Sequence, residues 1–536
     1  MRTFRLAFAA LFCMMIHAAY GGYDPMMRPD PQIDRFVQRI EARYGLLPKG
    51  YHRQPMGSES FLFYLDSAAK KPVSASERCN LEKLSRILSI DRGIYGYYNG
   101  KNETGLIVNL DLTGQTWART GNTDTRAGGR GIISPMLRGY IGKFSFYSGL
   151  DVWTEYVYDS LFSPSSWQPY DGNPYTFYGR GNESANMRAS DLPRAGISYD
   201  AGRINLQAGL DYIRTGPAVH YPLTFSGETP PITYFRGIFD LFHFEYSHTV
   251  GLLRSQKDKS KYLYSNRLSG TFFNGALVWG INEVMIDGEP TDQQNNDPAN
   301  SRRPEMAEEK HGWEWVYCIP FVPIVFVEHY TGDKGNAALS FDASLNWPQN
   351  FRFYGEFFMD DMLAPWKIFS DDWGNKWGLT AGMQYFGSIY NKDISAGIEY
   401  SRVEPWVYTH FYGGSHRYDH FDKSLGSALG PNSQAVVINA DMDVMKKTAL
   451  GLRLTSLAKN SETRGGKITD IFQEGGGNPD SETKKFLGSG TVHHLRPGVY
   501  VSHDPFGFFK LNASVDVDAA EDRGAVHMKL EGGFRF

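Results

Sequence analysis

From about Gly105 onward, apolar and polar side chains alternate with a period of two. Leu106, Val108, Leu110 and Leu112 interleave with Asn109, Asp111 and Thr113. Ala337, Leu339, Phe341, Ala343, Leu345 and Trp347 interleave with Asn336, Ser340, Asp342, Ser344 and Asn346. The same alternation covers 377–385, 509–517, 136–154, 204–212, 394–400, 450–454 and the end of the chain, Val526 to Phe536. A period of two gives strands with one greasy and one wet face. Several of these segments reach ten residues, whereas strands in globular sheets average about five or six. A tilted strand needs about nine to eleven residues to cross a bilayer. The wet face repeatedly carries Asp, Glu and Lys, as a water-filled lumen permits. Length and alternation together predict a transmembrane β-barrel rather than a secreted sandwich or propeller.

Ahead of the strands the period is 3.6. Pro31 to Leu47 places Ile33, Phe36, Val37, Ile40 and Tyr44 on one face, with Asp34, Arg39, Glu41 and Arg43 opposite. A second predicted helix runs from Ser76 to Ile90 with Leu81, Leu84, Ile87 and Leu88, and Gly93 follows as a stop. Both are short and too polar to span a bilayer, so they need a packing partner. The extreme N-terminus has Arg2 and Arg5, then a nearly all-apolar run from Leu6 to Ala19, then small residues. It reads as a secretory signal peptide over residues 1–21. The expected organisation is therefore a signal over 1–21, a helical plug region over 22–100 and a barrel over 101–536.

Long polar stretches at 159–193, 214–236, 287–311, 402–434 and 459–496 alternate with short turns such as 346–350 and 390–393. Unequal loops, short at one end and long at the other, are a barrel habit. About 430 residues follow the helices; at roughly 24 per strand and connection they supply about 16 to 18 strands.

Composition sharpens this picture. The chain holds 32 Tyr, 35 Phe, 11 Trp and 57 Gly, as girdled barrels do. A net charge of -4 leaves no basic footprint for nucleic acid. Mean hydropathy is -0.41, and the best apolar run, Ile319 to Val327, is half a helical span and holds two prolines. Beyond the signal only Cys79 and Cys318 remain, which is not a disulfide scaffold.

The chemistry on offer is sparse. No G-x-S-x-G, H-E-x-x-H, P-loop or C-x-x-C occurs. Asp360-Asp361 and Asp371-Asp372 invite glycoside acid–base work or Ca²⁺, but read better as charges balanced by nearby Arg and Lys. Parity places Glu356 and Asp360 on one polar face. HFYGGSHRYDHFD, His410 to Asp422, offers imidazoles and carboxylates; its Gly413-Gly414 makes it a His- and Tyr-rich surface loop rather than a metal site. Neither a metal nor a cofactor is expected. Aromatic rings beside polar groups suit sugars: Trp167, Tyr170, Tyr175, Phe177 and Tyr178 in one loop, Trp366 and Trp373 in another. Interfacial girdles account for such rings equally well.

Three stretches together resemble the capsule assembly Wzi family of outer-membrane proteins. The first is Gly202-Arg203-Ile204 leading to IRTGPAVHYPLTFSGETPPITYFR, with an Arg214-Thr215-Gly216-Pro217 turn and an L-x-x-S-x-x-x-P-P segment from Leu223 to Pro231. The second is YGEFFMDD, ending at Asp361. The third is EYSRVEPWVYTH, Glu399 to His410, followed by LGSALGPNS, Leu425 to Ser433. Ser427-Ala428 stand where such members read His-Pro, so that His has no counterpart here. The resemblance implies an all-β antiparallel outer-membrane barrel of about eighteen strands, plugged near the periplasmic end by the N-terminal helices. It implies a non-enzymatic, lectin-like role in attaching capsular or other surface polysaccharide, with outer-membrane lipid around the barrel. Candidate contacts are Trp167, Tyr170, Tyr175, Tyr178, Arg214, Glu356, Asp360, Trp366, Arg402, Glu404 and Trp406, Arg402 and Glu404 sharing strand parity. A diffusion porin is the alternative; a hydrolase using Asp360, Asp361 or the His410–His420 loop is a third reading. The final strand resembles those of outer-membrane barrels that close on an aromatic, which the barrel assembly machinery reads. Phe534 and Phe536 are expected to face lipid and Arg535 the lumen, with the strand paired to the first barrel strand near 105–117.

Overall fold

A computed structural model describes residues 31–56, 58–88, 94–99, 104–121, 125–159, 177–178, 187–254, 260–289, 312–332, 335–410, 413–472, 481–504, 509–520 and 523–535. Among them, 18 long strands form a closed antiparallel barrel. They are β1 (Thr104–Gly121), β2 (Thr125–Ile141), β3 (Phe144–Asp159), β4 (Met187–Asp200), β5 (Ile204–Asp211) and β6 (Ile232–Leu241). Next come β7 (Phe244–Arg254), β8 (Ser260–Phe272), β9 (Leu277–Gly288), β10 (Asn336–Leu345), β11 (Phe351–Asp361) and β12 (Lys376–Ile389). The last are β13 (Lys392–Val403), β14 (Ser433–Met445), β15 (Thr448–Lys459), β16 (Val492–His503), β17 (Phe509–Ala520) and β18 (Arg523–Arg535). β18 closes on β1 from Ala525 opposite Gly121 to Arg535 opposite Asp111, so the sheet closes on itself as a barrel. Phe534 lies on the outward face with Met528 and Leu530, all exposed; the Arg535 side chain and Phe536 fall outside the described residues. The alternation over 136–154 conceals a hairpin: Gly142, at φ +56°, turns β2 into β3.

The molecule is inside-out relative to a soluble sheet. Outward positions carry exposed Ile133, Leu206, Phe235, Leu252, Phe341, Met383, Ile438 and Leu452, while inward positions carry buried Arg236, Arg267, Arg352, Glu356 and Glu399. Short connections at one end include Tyr390-Asn391, both at positive φ, a two-residue turn suited to strand twist. The long connections lie at the other end.

Three helices, α1 (Pro31–Tyr44), α2 (Ser58–Ala69) and α3 (Ala75–Leu88), sit in the short-turn end. Phe36, Val37, Ile40, Phe61, Tyr64, Leu65, Leu81 and Leu84 form their common core. The sequence reading missed α2 and began α3 too late. Ser74 caps α3 in a reciprocal box: Glu77 N donates to Ser74 Oγ at 3.0 Å and Ser74 N to Glu77 Oε2 at 2.6 Å. The polar face of α1 is not solvated as its pattern suggests. Arg39 donates to the Ile394 and Gly387 carbonyls at 3.1 and 2.8 Å and pairs with Asp393 at 2.9 Å, while Glu41 is completely buried. The wall is the packing partner these helices require. Cys79 on α3 and Cys318 are both free. A fourth helix, α4 (Ile324–Thr331), belongs to the β9–β10 connection.

Candidate functional site

The lumen is built from wall carboxylates and loops that fold inward. The connection from β5 to β6 enters the barrel, where Arg214–Thr215 pairs with Arg53–Gln54 of the plug and with its own Phe225–Ser226. Glu356 on β11 accepts from Ala218 N at 2.9 Å and Leu223 N at 2.7 Å. Glu399 on β13 accepts from the successive amides of Val219, His220 and Tyr221 at 2.8–3.2 Å, and from Tyr354 Oη at 2.9 Å. Two wall carboxyl groups thus hold one loop by its backbone, Glu356 through two amides and Glu399 through three. Gly216, at φ +97°, approaches Glu356 so closely that a Cβ has no room. Arg214 reaches Asp34 of α1 at 3.3 Å and the Ala218 carbonyl at 2.8 Å.

Arg352 on β11 ties three parts together. It donates to Glu41 of the plug at 2.7 Å, to Gln384 of the wall at 3.0 Å and to the Pro217 carbonyl of the loop at 2.9 Å. Burial alone pushes the Glu41 carboxyl up, but Arg352 and His52, with Ser344 and Asn346 donating, hold it below its usual range. His52, wholly buried beside them, is pushed down by burial to about 4.

The β13–β14 connection also folds inward and packs on the first loop. Leu223, Phe225, Val407, Tyr408, Tyr418, Leu425 and Leu429 form an apolar core inside the barrel. Tyr408 Oη donates to the Leu223 carbonyl at 2.8 Å, and Ser427 N donates to Tyr408 Oη at 3.1 Å. This corrects the surface-loop reading of HFYGGSHRYDHFD: His416, Asp419 and His420 are buried. Burial pushes His420 down to about 4; its Nδ1 accepts from Arg254 N at 3.0 Å. His416 faces Asp287 at 3.1 Å, and Asp419 pairs with Lys261 and Arg417. Among the described residues no three His, Cys, Asp or Glu converge as a metal set.

The sequence-nominated residues are dispersed. Arg214 and Glu356 meet through Ala218 deep in the lumen. Asp360 accepts from Tyr408 N at 2.6 Å, while Asp361 is half-exposed at 3.5 Å from Lys376. Trp406 is buried, its backbone N–H donating to the Gly465 carbonyl at 2.9 Å. Arg402 and Glu404 do pair, at 2.6 Å, and Lys484 joins Glu404 at 2.9 Å. Trp366 is strongly exposed on the β11–β12 connection, whose Phe369 packs on outward-facing Phe357 and Trp377. Trp167, Tyr170, Tyr175 and the Tyr178 side chain lie outside the described residues. The sequence reading missed Glu399, Glu41 and Arg352 as lumen residues; for Arg352, parity with Glu356 on the same strand was the available signal.

At the long-loop end three connections interlock. Trp373 N donates to the Glu482 carbonyl at 2.9 Å, Lys484 N to the Asp371 carbonyl at 2.7 Å and Leu487 N to Asn432 Oδ1 at 2.7 Å. Trp373 stacks on Phe472 with centroids 3.6 Å apart, Trp406 meets Phe472 edge-on, and the Arg402 guanidinium lies 3.8 Å over Phe486. The half-buried Trp373, Phe472 and Phe486 rings and the Arg402 guanidinium here form a surface suited to hydroxyl-rich, C–H-faced ligands.

No family model and no curated protein matches the chain. Among solved structures it is similar to Wzi of Escherichia coli, described as an outer-membrane protein involved in group 1 capsule assembly and a carbohydrate-binding β-barrel. The TM-score is 0.56 at 13% identity, over 95% of this chain and 98% of that one. Pseudomonas aeruginosa OpdK with vanillate follows at TM-score 0.41 and 9% identity, over 80% of this chain and 98% of that one. The fold is that of an outer-membrane β-barrel.

Proposed function

We propose that this protein sits in the bacterial outer membrane and binds surface polysaccharide at its long-loop mouth, holding it to the cell without turning it over. One observation carries the reading: the lumen is stoppered twice by the chain itself. The helices fill the short-turn end, and the loops clamped by Glu356 and Glu399 fill the middle. A barrel so filled offers a surface more than a passage. Its likeness in fold to a carbohydrate-binding barrel supports the same reading. The exposed Phe534 fits recognition of the closing strand by assembly machinery.

A diffusion channel is the second reading, favoured by the inward Arg496 and Lys529 side chains, 41% and 51% exposed, and by a cavity of about 490 Å³ beside Arg214, His220, Asn439, Arg453 and Tyr500. Planar-bilayer recording and capsule partition in a deletion strain separate the two. Binding predicts no steady open current and polysaccharide shifted from cells to medium. Restoring the gene with Trp373→Ala and Phe472→Ala should retain polysaccharide less well by about fivefold, the scale of one lost aromatic contact. Full retention by that variant, or a steady large conductance, defeats the proposal.

A further inference from the structure

The connection from β9 to β10 lies on the wrong side of the wall for a loop of the mouth. Its described part, residues 312–332, contains a 3₁₀ turn (Trp315–Cys318) and α4. It packs on Tyr264 and Met285, with Val250, Tyr262 and Ala337 alongside. These side chains have the opposite strand parity to Leu253, Leu263, Val284, Ile286 and Ala338, which line the lumen core. The segment therefore lies against the outer wall. It also reaches far along the wall: Phe321 stacks on Tyr246 at 4.3 Å and touches Phe239 at 5.0 Å, near the short-turn ends of β7 and β6.

Four outward-facing polar groups that break the greasy alternation of these strands, on Tyr246, Tyr264, Asn266 and Glu283, bond to this strap. Tyr246 Oη accepts from Phe321 N at 2.7 Å, and Tyr264 Oη accepts from Glu314 N at 3.0 Å. Asn266 Nδ2 donates to the Val322 carbonyl at 2.7 Å, and Glu283 Oε2 accepts from Ile324 N at 3.2 Å. Irregular backbone survives at membrane depth only where protein satisfies its polar groups, because each orphan in hydrocarbon costs several kcal/mol. The strap's exposed described residues are Trp313, Trp315, Ile319, Pro320, Phe321, Pro323, Phe326, Tyr330 and Gly332, none of them charged. Phe326 and Tyr330 are 76% and 88% exposed. They continue the belt of exposed Phe235, Leu252, Leu268 and Phe341.

We infer that residues 312–332 form an intramembrane strap whose outer face contacts the acyl chains of the outer membrane. This rests on the membrane-spanning reading, and the experiment separates the two. In full-length protein carrying Cys13→Ala, Cys79→Ala and Cys318→Ala, single cysteines replace Phe326, Tyr330 or, as a wall control, Phe341. Each receives a nitroxide, and the protein is reconstituted in phosphatidylethanolamine–phosphatidylglycerol vesicles. Collision with oxygen reports hydrocarbon, and collision with a water-soluble nickel chelate reports solvent. The strap labels should match the Phe341 label within about twofold in nickel access, as a shared hydrocarbon environment requires. Adding Asn266→Leu and Glu283→Leu should raise nickel access at position 326 several-fold and leave 341 unchanged, with heat-modifiable gel mobility confirming a folded barrel. Wet strap labels beside a dry 341 overturn the inference, as does spin–spin broadening that reveals a second copy on the strap. A wet 341 overturns the membrane-spanning reading itself, and the strap with it.

Discussion

The wall is one continuous sheet, yet its two arcs face different interiors. From β6 to β14 the inward side chains meet plug and loops, so Arg236, Arg267, Asn282, Arg352, Glu356, Thr380 and Glu399 are all buried. From β16 through β18 the same inward parity leaves the Arg496 and Lys529 side chains 41% and 51% exposed. Their partners are simple neighbours: Asp518 lies 3.0 Å from Arg496, and Glu531 lies 3.1 Å from Lys529. Alternation decides which side of the wall a residue occupies; the filling decides whether its charge is desolvated. A charge on the filled arc is costly to orphan, and one on the open arc is screened by water.

The contrast breaks most sharply at Arg352. Arg352→Met leaves Glu41 buried without its cation and frees the Pro217 carbonyl, so a loss of about 3–5 kcal/mol is expected. Urea unfolding followed by gel mobility measures it, and a loss below about 1 kcal/mol would mean that the filled arc is no tighter than the open one. Acid should act next, through His52. Its folded pKa of about 4 lies below the ordinary 6.5, so on acidification the unfolded chain takes up the proton first. Stability is full above about pH 6.5 and falls progressively to pH 4, by about 3 kcal/mol in all. His52→Asn should flatten that slope between pH 7.5 and 4.5; an unchanged slope would assign the effect to other groups. Smallest is the open arc: Lys529→Ala with Glu531→Ala should cost less than about 1 kcal/mol, by the same unfolding assay.

Much of the scaffold was legible in advance. The strands from Ala337 to Leu345 and from Phe509 to Val517 stand where their alternation put them, and β18 pairs with β1 as an edge-free sheet requires. Turns were less so: Gly142 breaks one apparent strand in two, and the outward parity flips there from odd positions (Ile133, Ile141) to even ones (Phe144, Val152). The helix α2 escaped because SESFLFYLDSAA is apolar almost all round and has no stripe to read. Among nominated site residues, Arg402 and Glu404 pair as parity allowed, whereas Arg214, Glu356 and Asp360 turned out to grip backbone within the lumen. A carboxylate facing a lumen looks the same in sequence whether it meets a ligand, water or the amides of a loop 180 residues away.

The chain by itself determined a barrel, because a period of two sustained over crossing lengths admits one greasy outer face and one wet inner face. It also determined that the amphipathic N-terminal helices need a host. Tertiary structure alone decided what fills that inner face, since loops 212–231 and 404–432 carry no periodicity and enter the lumen through contacts distant in sequence. It alone decided, too, that Tyr246, Asn266 and Glu283, which read as flaws in the greasy alternation, are the anchors of a strap on the outer wall. Local pattern fixes which way a side chain points; only the folded chain supplies what it meets there.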